Sequence, residues 1–555
     1  MTRKYRIPVM VVAAVLLFAM LVGCTSSPPA ATTTAAAATT AAAAAATTAA
    51  AADAPSGGGA VDKIDVSASL WDIYRIEPED GRDDPLRDYV EDMFGIHLIP
   101  QTVSWSDREE KFNVWAASGQ MPDIIGAVSH VGTGLYYQWI HEGVVRELPD
   151  LTPWPNLKAR VEDDYVKTYS VDGKSYFFPR WDSDGPDNFL HYGFLYRKDW
   201  AEALGMGVPQ SEEEFMAMAI AFAKDDPDGN GVHDTIGFGW DEIWPPVGTA
   251  GAGFVNYGFT TTEWIKNEET GLWEMPGYTE EIIPLLDFLR RLYKLGGIDP
   301  DFATRQQYDI RDLFAAGSVG IFLKQNQPVH LNGIYNPWVQ TQPDKDFYEC
   351  VDFMPLWQQD NVMYRTYVGD WWSESYFSST VDDEKMRRIL DLYSWMWTAE
   401  GMRYMQYGFE GEDYTMDAAG EITILREKNE DGTYPGLGLK YPFAYAVSLA
   451  CWPGDITQYQ NPTIPLELRT FSLNERERKK REFTLYMVDP EVRAIDVPEK
   501  TNATYNLREG LTRVVMDLSD TPTEAVFAQQ KADWDAQGLQ ACVDAVNEVA
   551  RSLGK

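Results

Sequence analysis

The residues best suited to chemistry by type and spacing lie between Asp226 and Asp234. Side-chain oxygens stand at the first, third, fifth and ninth positions of this stretch, supplied by Asp226, Asp228, Asn230 and Asp234. A tight loop turns such alternating side chains toward one centre, which suits a hard cation that prefers oxygen ligands. With Gly231 at the sixth position, the pattern predicts the start of an EF-hand calcium loop.

The pattern departs from a complete EF-hand at its twelfth position. Gly237 stands where an EF-hand carries a bidentate glutamate. The alternative interpretation is therefore an aspartate-rich surface turn that needs no metal. A calcium ion in this loop would be structural, since nothing in the pattern provides an open catalytic position.

The N-terminal segment predicts export and attachment to a membrane. Arg3, Lys4 and Arg6 precede an apolar run from residue 7 to residue 22, the layout of a secretory signal. The run ends in Leu-Val-Gly-Cys24, which resembles the lipobox of bacterial lipoproteins and implies lipidation of Cys24. The alternative is a plain signal with a chance cysteine. Residues 25–60 are almost all Ala, Thr, Ser, Pro and Gly, which predicts a disordered tether.

Composition limits the classes of ligand that the protein can bind. With 47 basic and 85 acidic residues the formal charge is −38, which argues against nucleic acid as a ligand. No second apolar run reaches the ~20 residues that cross a bilayer. Cys350, Cys451 and Cys542 have no CxxC spacing, so the sequence does not identify a disulfide.

Hydrophobic patterning predicts a parallel α/β arrangement. Ile64, Val66 and Ala68 alternate with polar residues as in a half-buried strand. Asp84-Pro85 predicts a helix start and Gly95 its end, before a strand at 96–99. A second helix from about 107 to 118 and a third strand at 121–125 complete the pattern. Such alternation is typical of a parallel sheet with helices on its faces.

Several segments then resemble one family in its own order. The chain is similar to the extracellular solute-binding proteins of sugar ABC importers, in particular to the large lipoprotein branch that includes alginate- and oligosaccharide-binding proteins. The matching segments are 117–125 (ASGQMPDII), 143–151, 172–179 (DGKSYFFP), 195–209 with its RKDW sequence, 314–320 (FAAGSVG) and 394–411. Beyond residue 441 the match thins to Trp534, Gly538 and Leu539.

The resemblance implies a type II periplasmic-binding-protein-like fold, with two α/β lobes joined by a hinge and a ligand cleft between them. It also implies that the chain crosses between the lobes near 182–190, 366–370 and 420–445. The expected segments are a signal at 1–23, a tether at 24–60, the N-lobe at 61–185 and 367–430, and the C-lobe at 186–366 and 431–555.

The resemblance further implies what the protein does. We expect it to bind a carbohydrate outside the cell and to pass it to ABC permease subunits, as a monomer held at the membrane by lipid on Cys24. It implies a structural Ca²⁺ in the loop described above. Its ligands would be Asp226, Asp228, Asn230, the Val232 carbonyl and Asp234, with Thr235 or Asp225 as possible extras.

Candidates for the sugar site are residues that follow predicted strands at the expected cleft. An aromatic face packs against the C–H face of a sugar ring, while polar side chains bond its hydroxyls. The candidates are Trp71, Asp72, Trp181, Trp240, Trp244, Lys324, Trp371, Trp372 and Glu374. We expect stacking from Trp71, Trp240, Trp371 and Trp372 and hydroxyl bonding from Glu374, although most aromatic residues of the chain belong to its cores.

Two other functions remain open from the sequence. A secreted glycosidase would need two carboxylates about 5–9 Å apart, and 85 acidic residues do not exclude such a pair. The six histidines, however, form no metal-binding spacing, and the chain has neither a G-x-S-x-G elbow nor a P-loop. A binder of peptides or other polar solutes on the same fold is the third interpretation. An acidic sugar would require basic residues in the cleft, for which Arg180, Arg197 and Lys324 are the candidates.

Overall fold

The structure of the chain is a computed structural model. It describes residues 62–70, 73–78, 81–104, 107–180, 192–240, 263–306, 308–355, 363–367, 371, 373–450 and 458–555. The signal, Cys24 and the tether predicted at 1–60 lie outside these residues. Among the helices in these ranges, none is both long and apolar enough to cross a bilayer.

The strands alternate with helices through most of the described chain. The strands are β1 (Ile64–Ser69), β2 (Ile96–Pro100), β3 (Ile124–Val128), β4 (Phe178–Pro179), β5 (Tyr192–Arg197), β6 (Ile236–Trp240), β7 (Ile265–Lys266), β8 (Trp273–Glu274), β9 (Val319–Gln325), β10 (Val351–Phe353), β11 (Met363–Tyr367), β12 (Glu374–Phe377), β13 (Tyr414–Met416), β14 (Ile422–Ile424) and β15 (Phe483–Met487).

The helices pack on the two sheets, and the last three of them pack together near the C-terminus. They are α1 (Pro85–Phe94), α2 (Arg108–Ser118), α3 (Gly134–His141), α4 (Pro155–Val161), α5 (Asp164–Lys167), α6 (Lys198–Ala203), α7 (Glu212–Lys224), α8 (Ile283–Lys294), α9 (Asp309–Ala315), α10 (Pro328–Thr341), α11 (Phe347–Cys350), α12 (Asp383–Met396), α13 (Ala399–Tyr407), α14 (Leu437–Lys440), α15 (Leu466–Glu482), α16 (Pro490–Arg493), α17 (Pro498–Asn502), α18 (Leu507–Met516), α19 (Thr523–Ala536) and α20 (Leu539–Ser552). Short 3₁₀ helices lie at Ile73–Ile76, Pro276–Tyr278, Glu280–Ile282 and Pro442–Leu449.

The N-lobe is built on a five-stranded sheet of order β2-β1-β3-β12-β4. β1 pairs in parallel with β2 and β3, whereas β12 runs antiparallel to both β3 and β4. The predicted strand–helix–strand–helix–strand order is therefore confirmed. The third strand begins at Ile124 rather than at the predicted residue 121. Asp123 precedes the strand, and its carboxylate accepts hydrogen bonds from the Ser67 amide and hydroxyl.

Helix α1 shows why this part could be predicted from local signals. The Asp84 carboxylate accepts hydrogen bonds from the amides of Leu86 and Arg87 at 3.1 and 3.2 Å, which satisfies donors that the first turn leaves unpaired. Gly95 ends the helix with φ of 59°, a left-handed conformation that glycine adopts without steric cost. Both predicted boundaries of this helix are confirmed.

The C-lobe is built on a four-stranded sheet of order β10-β5-β9-β6. β6 and β9 are parallel, while β5 runs antiparallel to β9 and β10. Helices α18 to α20 extend the core on the α8 side of this lobe. Cys350 and Cys542 are free and buried, and Cys451 lies outside the described residues.

The chain crosses between the lobes where strands end. One crossing leaves β4 of the N-lobe sheet and enters β5 of the C-lobe sheet, within 180–191. The next lies between β10 and β12 and contains β11, which pairs in parallel with β15. These two strands form a small sheet of their own, separate from the five-stranded and the four-stranded sheet.

The third crossing differs from the prediction of 420–445, and the boundary after residue 430 moves with it. Phe443 and Leu449 are buried in the N-lobe core, and the Ser375 hydroxyl donates to the Leu449 carbonyl at 2.6 Å. Leu468 of α15 is buried in the C-lobe core. Residues 431–450 therefore belong to the N-lobe, and the chain crosses between 451 and 465. The sequence marks this boundary poorly because apolar residues occur on both of its sides.

The first crossing joins one edge of the N-lobe sheet to one edge of the C-lobe sheet. Residues 181–191 join the end of β4 to the start of β5, and such a segment spans at most about 40 Å when fully extended. The start of β5 pairs with the end of β9, since Tyr192 is registered with Gln325. In the N-lobe, the end of β4 lies beside the start of β12 and the end of β3. We call these two sets of strand ends the facing edges.

Glu374 ties the N-lobe facing edge together at the start of β12. Its side chain is 1% exposed, and its Oε1 accepts hydrogen bonds from the amides of His130 and Val131 at 2.6 and 3.1 Å. The Tyr376 hydroxyl donates to the same oxygen at 2.9 Å. Burial raises the pKa of this carboxyl to about 7, because these hydrogen bonds compensate only part of the lost hydration.

The raised pKa predicts a pH-dependent stability difference between the protein and a Glu374→Gln variant. Near pH 4.5 and below, the carboxyl is protonated in the folded protein. As the pH rises to 7, the unfolded chain loses this proton before the folded one does, so the wild-type protein loses stability. Relative to the glutamine variant this loss is roughly 3 kcal/mol and is complete by about pH 8, where the folded carboxyl is also ionised.

Urea unfolding of both proteins at several pH values between 4.5 and 8 measures this difference. Glu384→Gln is the control, since Glu384 is exposed and its arginine neighbours lower its carboxyl pKa to about 2. Its titration lies below the tested window, so its stability difference should be constant there. A constant difference for Glu374→Gln as well would show that the Glu374 carboxyl has the same pKa in the folded protein as in the unfolded chain.

Candidate functional site

The structure brings four of the predicted sugar-binding residues to the facing edges. Trp371 and Glu374 lie at the N-lobe edge, beside and within the start of β12. Trp240 ends β6 and Lys324 lies one residue before the end of β9, both at the C-lobe edge. The other five candidates lie outside the described residues: Trp71, Asp72, Trp181, Trp244 and Trp372.

Both described tryptophans pack their rings within their own lobe. The Trp240 ring is 3% exposed, with centroid distances of 5.3 Å to Phe238 and 5.0 Å to Phe302. The Trp371 ring is 7% exposed and meets Tyr165 at 5.6 Å and Phe177 at 5.8 Å. In this conformation both rings are buried within their own lobe. Their stacking on a ligand stays a prediction.

Polar residues outside the predicted set complete the C-lobe edge. Asn326 and Gln327, which follow β9, are both nearly fully buried. Helix α15 lies against them, with the Ser472 hydroxyl donating to the Asn326 carbonyl at 2.5 Å. The signal for α15 was present in the sequence, since its charges recur at helical spacing while Ser472 and Glu475 fall on one face.

The N-lobe edge carries a buried arginine directly after β4. Arg180 is 0% exposed, and its amide donates to the Ser373 carbonyl at 2.9 Å. Its guanidinium lies so close to Gly126 that a Cβ there would stand 3.3 Å from Nη1. The edge therefore combines a guanidinium with the Glu374 carboxyl.

An open cavity of about 640 Å³ lies where the two lobes meet. Tyr165 lines it from the N-lobe, and this ring also contacts Trp371. Its remaining lining comes from the β7–β8 hairpin, the segment after β15 and the C-terminus: Lys266, Glu268, Trp273, Val488, Asp489, Pro490, Glu491, Gly554 and Lys555. Its size and its mixture of aromatic and charged groups suit a small polar ligand.

A direct contact between the lobes lies close to this cavity. The Tyr137 hydroxyl of α3 donates to the Ala494 carbonyl at 2.6 Å, and His141 meets Asp496 at 2.9 Å. A Cβ added to Gly134 would stand 2.3 Å from the Lys500 carbonyl oxygen. The backbones approach too closely there for any side chain at Gly134.

The predicted calcium loop forms the tight turn between α7 and β6. Gly231 has φ of 81°, as the sharp turn at the sixth position requires. The Asp226 carboxylate accepts hydrogen bonds from the amides of Asn230 and Gly231 at 3.1 and 3.0 Å. The Asn230 side-chain amide donates to Asp228 at 2.9 Å and to Asp234 at 3.3 Å.

The donor set of this loop fits a hard cation. The carboxylates of Asp228 and Asp234 both accept hydrogen bonds from the Asn230 side-chain amide. The remaining candidate ligands of the loop are also oxygen atoms, which a hard cation prefers. Within the described ranges, however, no three His, Cys, Asp or Glu side chains gather into a metal cluster. The amide and backbone oxygens of the loop would therefore have to take part in holding an ion.

The structure explains why the loop lacks a carboxylate at its twelfth position. Gly237 lies in β6 against α7, where an added Cβ would stand 1.9 Å from the Ala219 carbonyl oxygen. No side chain fits at this position, so a twelfth-position glutamate is sterically excluded. The shortened loop is a consequence of how β6 packs on α7.

The chain is similar in sequence to several bacterial proteins, two of which are named for the carbohydrates they bind. No protein-family model matches the chain. Lipoprotein LipO of Bacillus subtilis is 24% identical over 396 residues, which cover 69% of this chain and 74% of LipO. The polygalacturonan/rhamnogalacturonan-binding protein YtcQ of B. subtilis is 26% identical, covering 41% of this chain and 43% of YtcQ. The fructooligosaccharide ABC transporter substrate-binding protein FusA of Streptococcus pneumoniae is 30% identical over 29% of this chain and 32% of FusA.

Solved structures share the fold over most of the chain. The alginate-binding protein AlgQ2, solved without calcium ion, superposes with a TM-score of 0.63 at 15% identity, covering 88% of this chain and 98% of AlgQ2. An EF-hand mutant of FusA in complex with fructo-nystose gives a TM-score of 0.57 at 18% identity, over 89% and 99%. The predicted two-lobed fold is thereby confirmed. The relatives and the shared fold together show that this chain is similar to the extracellular solute-binding proteins of ABC transporters.

Proposed function

We propose that the protein captures an oligosaccharide between its two lobes outside the cell and delivers it to an ABC importer. The observation that carries this proposal is the pair of facing edges, where each of the two sheets carries polar and aromatic residues at the strand ends that the chain crossing joins. Closure of two lobes around a ligand converts occupancy into a shape that a transporter can sense. Relatives whose names state a ligand bind carbohydrates, polygalacturonan or rhamnogalacturonan for YtcQ and fructooligosaccharide for FusA.

The competing function is hydrolysis of the same kind of ligand. The relatives are binding proteins rather than enzymes. Glu374 is buried at the cleft edge with a pKa of about 7, as a general acid would be, yet its Oε1 already accepts three hydrogen bonds. This arrangement supports a positioning role for Glu374 in the N-lobe edge rather than proton transfer to a glycosidic oxygen.

A thermal-shift screen of the purified protein against oligosaccharides, with product analysis of every hit, tests the proposal. A bound ligand stabilises the folded state by mass action, so one class of glycan should raise Tm without being cleaved. Small-angle scattering of the same samples should show a smaller radius of gyration with ligand. Cleavage products would identify a glycosidase, and a Tm rise with peptides alone would identify a peptide binder.

We propose in addition that the loop at 226–234 holds a structural calcium ion. Asp226, Asp228, Asn230, the Val232 carbonyl and Asp234 would hold it, and the ion would neutralise the carboxylates and fix the turn before β6. Calcium should then raise the Tm of the wild-type protein, and EDTA should reverse this rise.

Matched variants separate calcium binding from turn formation. Asp228→Asn keeps a turn acceptor but removes one charge, so its Tm should no longer respond to calcium. Asp417→Asn is the control, since Asp417 accepts amide hydrogen bonds in an exposed turn elsewhere, at 2.8 Å from Ala419 and from Glu421. A wild-type Tm that ignores both calcium and EDTA would show that the loop is a turn that needs no metal.

We propose further that lipid on Cys24 holds the protein at the membrane, through the tether at 25–60. A single acyl chain binds membranes only marginally, whereas two or three give stable attachment. A Cys24→Ala variant should appear in the culture medium, while the wild-type protein and a Ser26→Ala control should remain in the membrane fraction, as measured by immunoblotting. Release of all three proteins would indicate an ordinary secretory signal.

A further inference from the structure

Residues 492–500, which we call the bridging segment, pack into both lobes at once. Val492, Ile495 and Val497 are buried in the C-lobe core. Ala494, which lies between them in the chain, packs instead against the aromatic core of the N-lobe. The segment runs from the end of α16 into α17, soon after β15. One short stretch of chain is therefore shared between two separate cores.

Polar contacts hold the bridging segment in shape and fix it to the C-lobe. The Lys500 ammonium donates to the carbonyls of Arg493 and Ile495 at 2.8 and 2.9 Å, which closes the turn between α16 and α17. The Arg493 side chain pairs with Glu263, next to the β7–β8 hairpin, with 3.1 Å between Nε and Oε2. Together with the buried apolar side chains, these contacts make the segment a fixed part of the C-lobe.

The N-lobe meets the bridging segment through the start of α3. The Tyr137 hydroxyl donates across the lobes to the Ala494 carbonyl at 2.6 Å. A Cβ added to Gly134 would stand 2.3 Å from the Lys500 carbonyl oxygen, so the two backbones are in direct contact there. A contact between backbones cannot be relieved by a change of rotamer. The two lobes would have to move relative to each other instead.

The loop before α3 connects this contact to the N-lobe facing edge. His130 and Val131, whose amides donate to the Glu374 carboxylate, directly precede Gly132 in the chain. A Cβ added to Gly132 would stand 3.1 Å from the Arg493 carbonyl oxygen. One short loop therefore contacts Glu374 on one side and the bridging segment on the other.

A second connection to the same edge runs through aromatic rings. The guanidinium carbon of Arg493 lies 5.8 Å from the centroid of the Tyr169 ring in the N-lobe. The Tyr169 ring in turn meets the Trp371 ring edge-on at a centroid distance of 6.0 Å. A C-lobe side chain is thus separated by a single ring from a residue beside the start of β12.

Closely packed contacts of this kind have few alternative arrangements, so they fix the relative orientation of the parts that they join. We propose that the bridging segment is a positioning element that sets the angle between the two lobes before a ligand binds. This angle determines how far apart the facing edges stand, and hence what fraction of the protein is ready to close on a ligand. The inference goes beyond the proposed function, because it concerns the unliganded protein and holds for a ligand of any chemistry.

Gly134→Ala tests the backbone contact. The backbone of Gly134 lies outside the left-handed region, so alanine is compatible with it, but the new Cβ requires the two backbones to separate by about 1 Å. Spin labels on p-acetylphenylalanine at Val114 of the N-lobe and Leu295 of the C-lobe, both exposed, report the interlobe distance by double electron–electron resonance without ligand. The mean distance should shift by at least about 1 Å. Gly207→Ala is the control, since no atom lies within 4 Å of its added Cβ.

Two neighbouring tyrosines test the hydrogen bond between the lobes. Tyr137 and Tyr136 both donate at 2.6 Å, but Tyr137 donates across the lobes to Ala494, whereas Tyr136 donates within the N-lobe to the Tyr169 carbonyl. Each change to phenylalanine leaves a carbonyl without its hydroxyl partner, so both variants should lose a similar amount of Tm. Tyr137→Phe should also broaden or shift the interlobe distance, and Tyr136→Phe should not.

The outcomes separate this inference from the proposed function. An interlobe distance unchanged by both Gly134→Ala and Tyr137→Phe, in variants whose thermal unfolding shows that they fold, would overturn the inference. Equal shifts in the two controls would overturn it as well, because they would indicate a general loosening of the fold. Either result leaves oligosaccharide binding standing. Failure of every glycan in the thermal-shift screen would overturn the proposed function and leave this inference standing.

Discussion

The passage of the chain from β4 to β5 is the constraint on which the site depends. Residues 181–191 join the end of β4 in one sheet to the start of β5 in the other, so these two strand ends stay within about 40 Å of each other. Pairing then extends this alignment across each sheet, since Tyr192 is registered with Gln325 and Glu374 with Pro179. Connectivity thus links the two edges and limits how far apart they can lie.

The facing edges combine groups that are costly to bury with partners that lower the cost. Glu374 retains three hydrogen bonds within the N-lobe, and Glu475 is shared by Arg478 and Lys479 within the C-lobe. In a low-dielectric setting such interactions are stronger than in water, and an unpaired charge there is correspondingly expensive. The rings of Trp240 and Trp371 are each buried against aromatic residues of their own lobe, next to these polar groups in the chain or in the sheet.

The sequence predicted what local signals control. The cap at Asp84, the glycine at Gly95 and the oxygen spacing of the calcium loop act over a few residues, and the structure reproduces each element that they mark. Long-range pairing was not predictable in this way. Nothing near residue 374 indicates that β12 inserts between β3 and β4, and nothing near residue 475 indicates contact with Gly193. The sequence placed Trp240, Trp371 and Glu374 at strand ends, which is where the structure has them. It did not reveal that the rings of Trp240 and Trp371 are buried in their own lobes.

The insertion of β12 has a consequence for how the protein folds. Glu374 receives the amide of His130 across 244 residues of sequence, and most of the C-lobe sheet lies within that interval. The N-lobe sheet therefore stays open between β3 and β4 until the C-lobe strands have been synthesised. Such non-local pairing slows folding and exposes unpaired strand edges meanwhile. Under the proposed export, this delay would keep the first lobe open while the chain crosses the membrane.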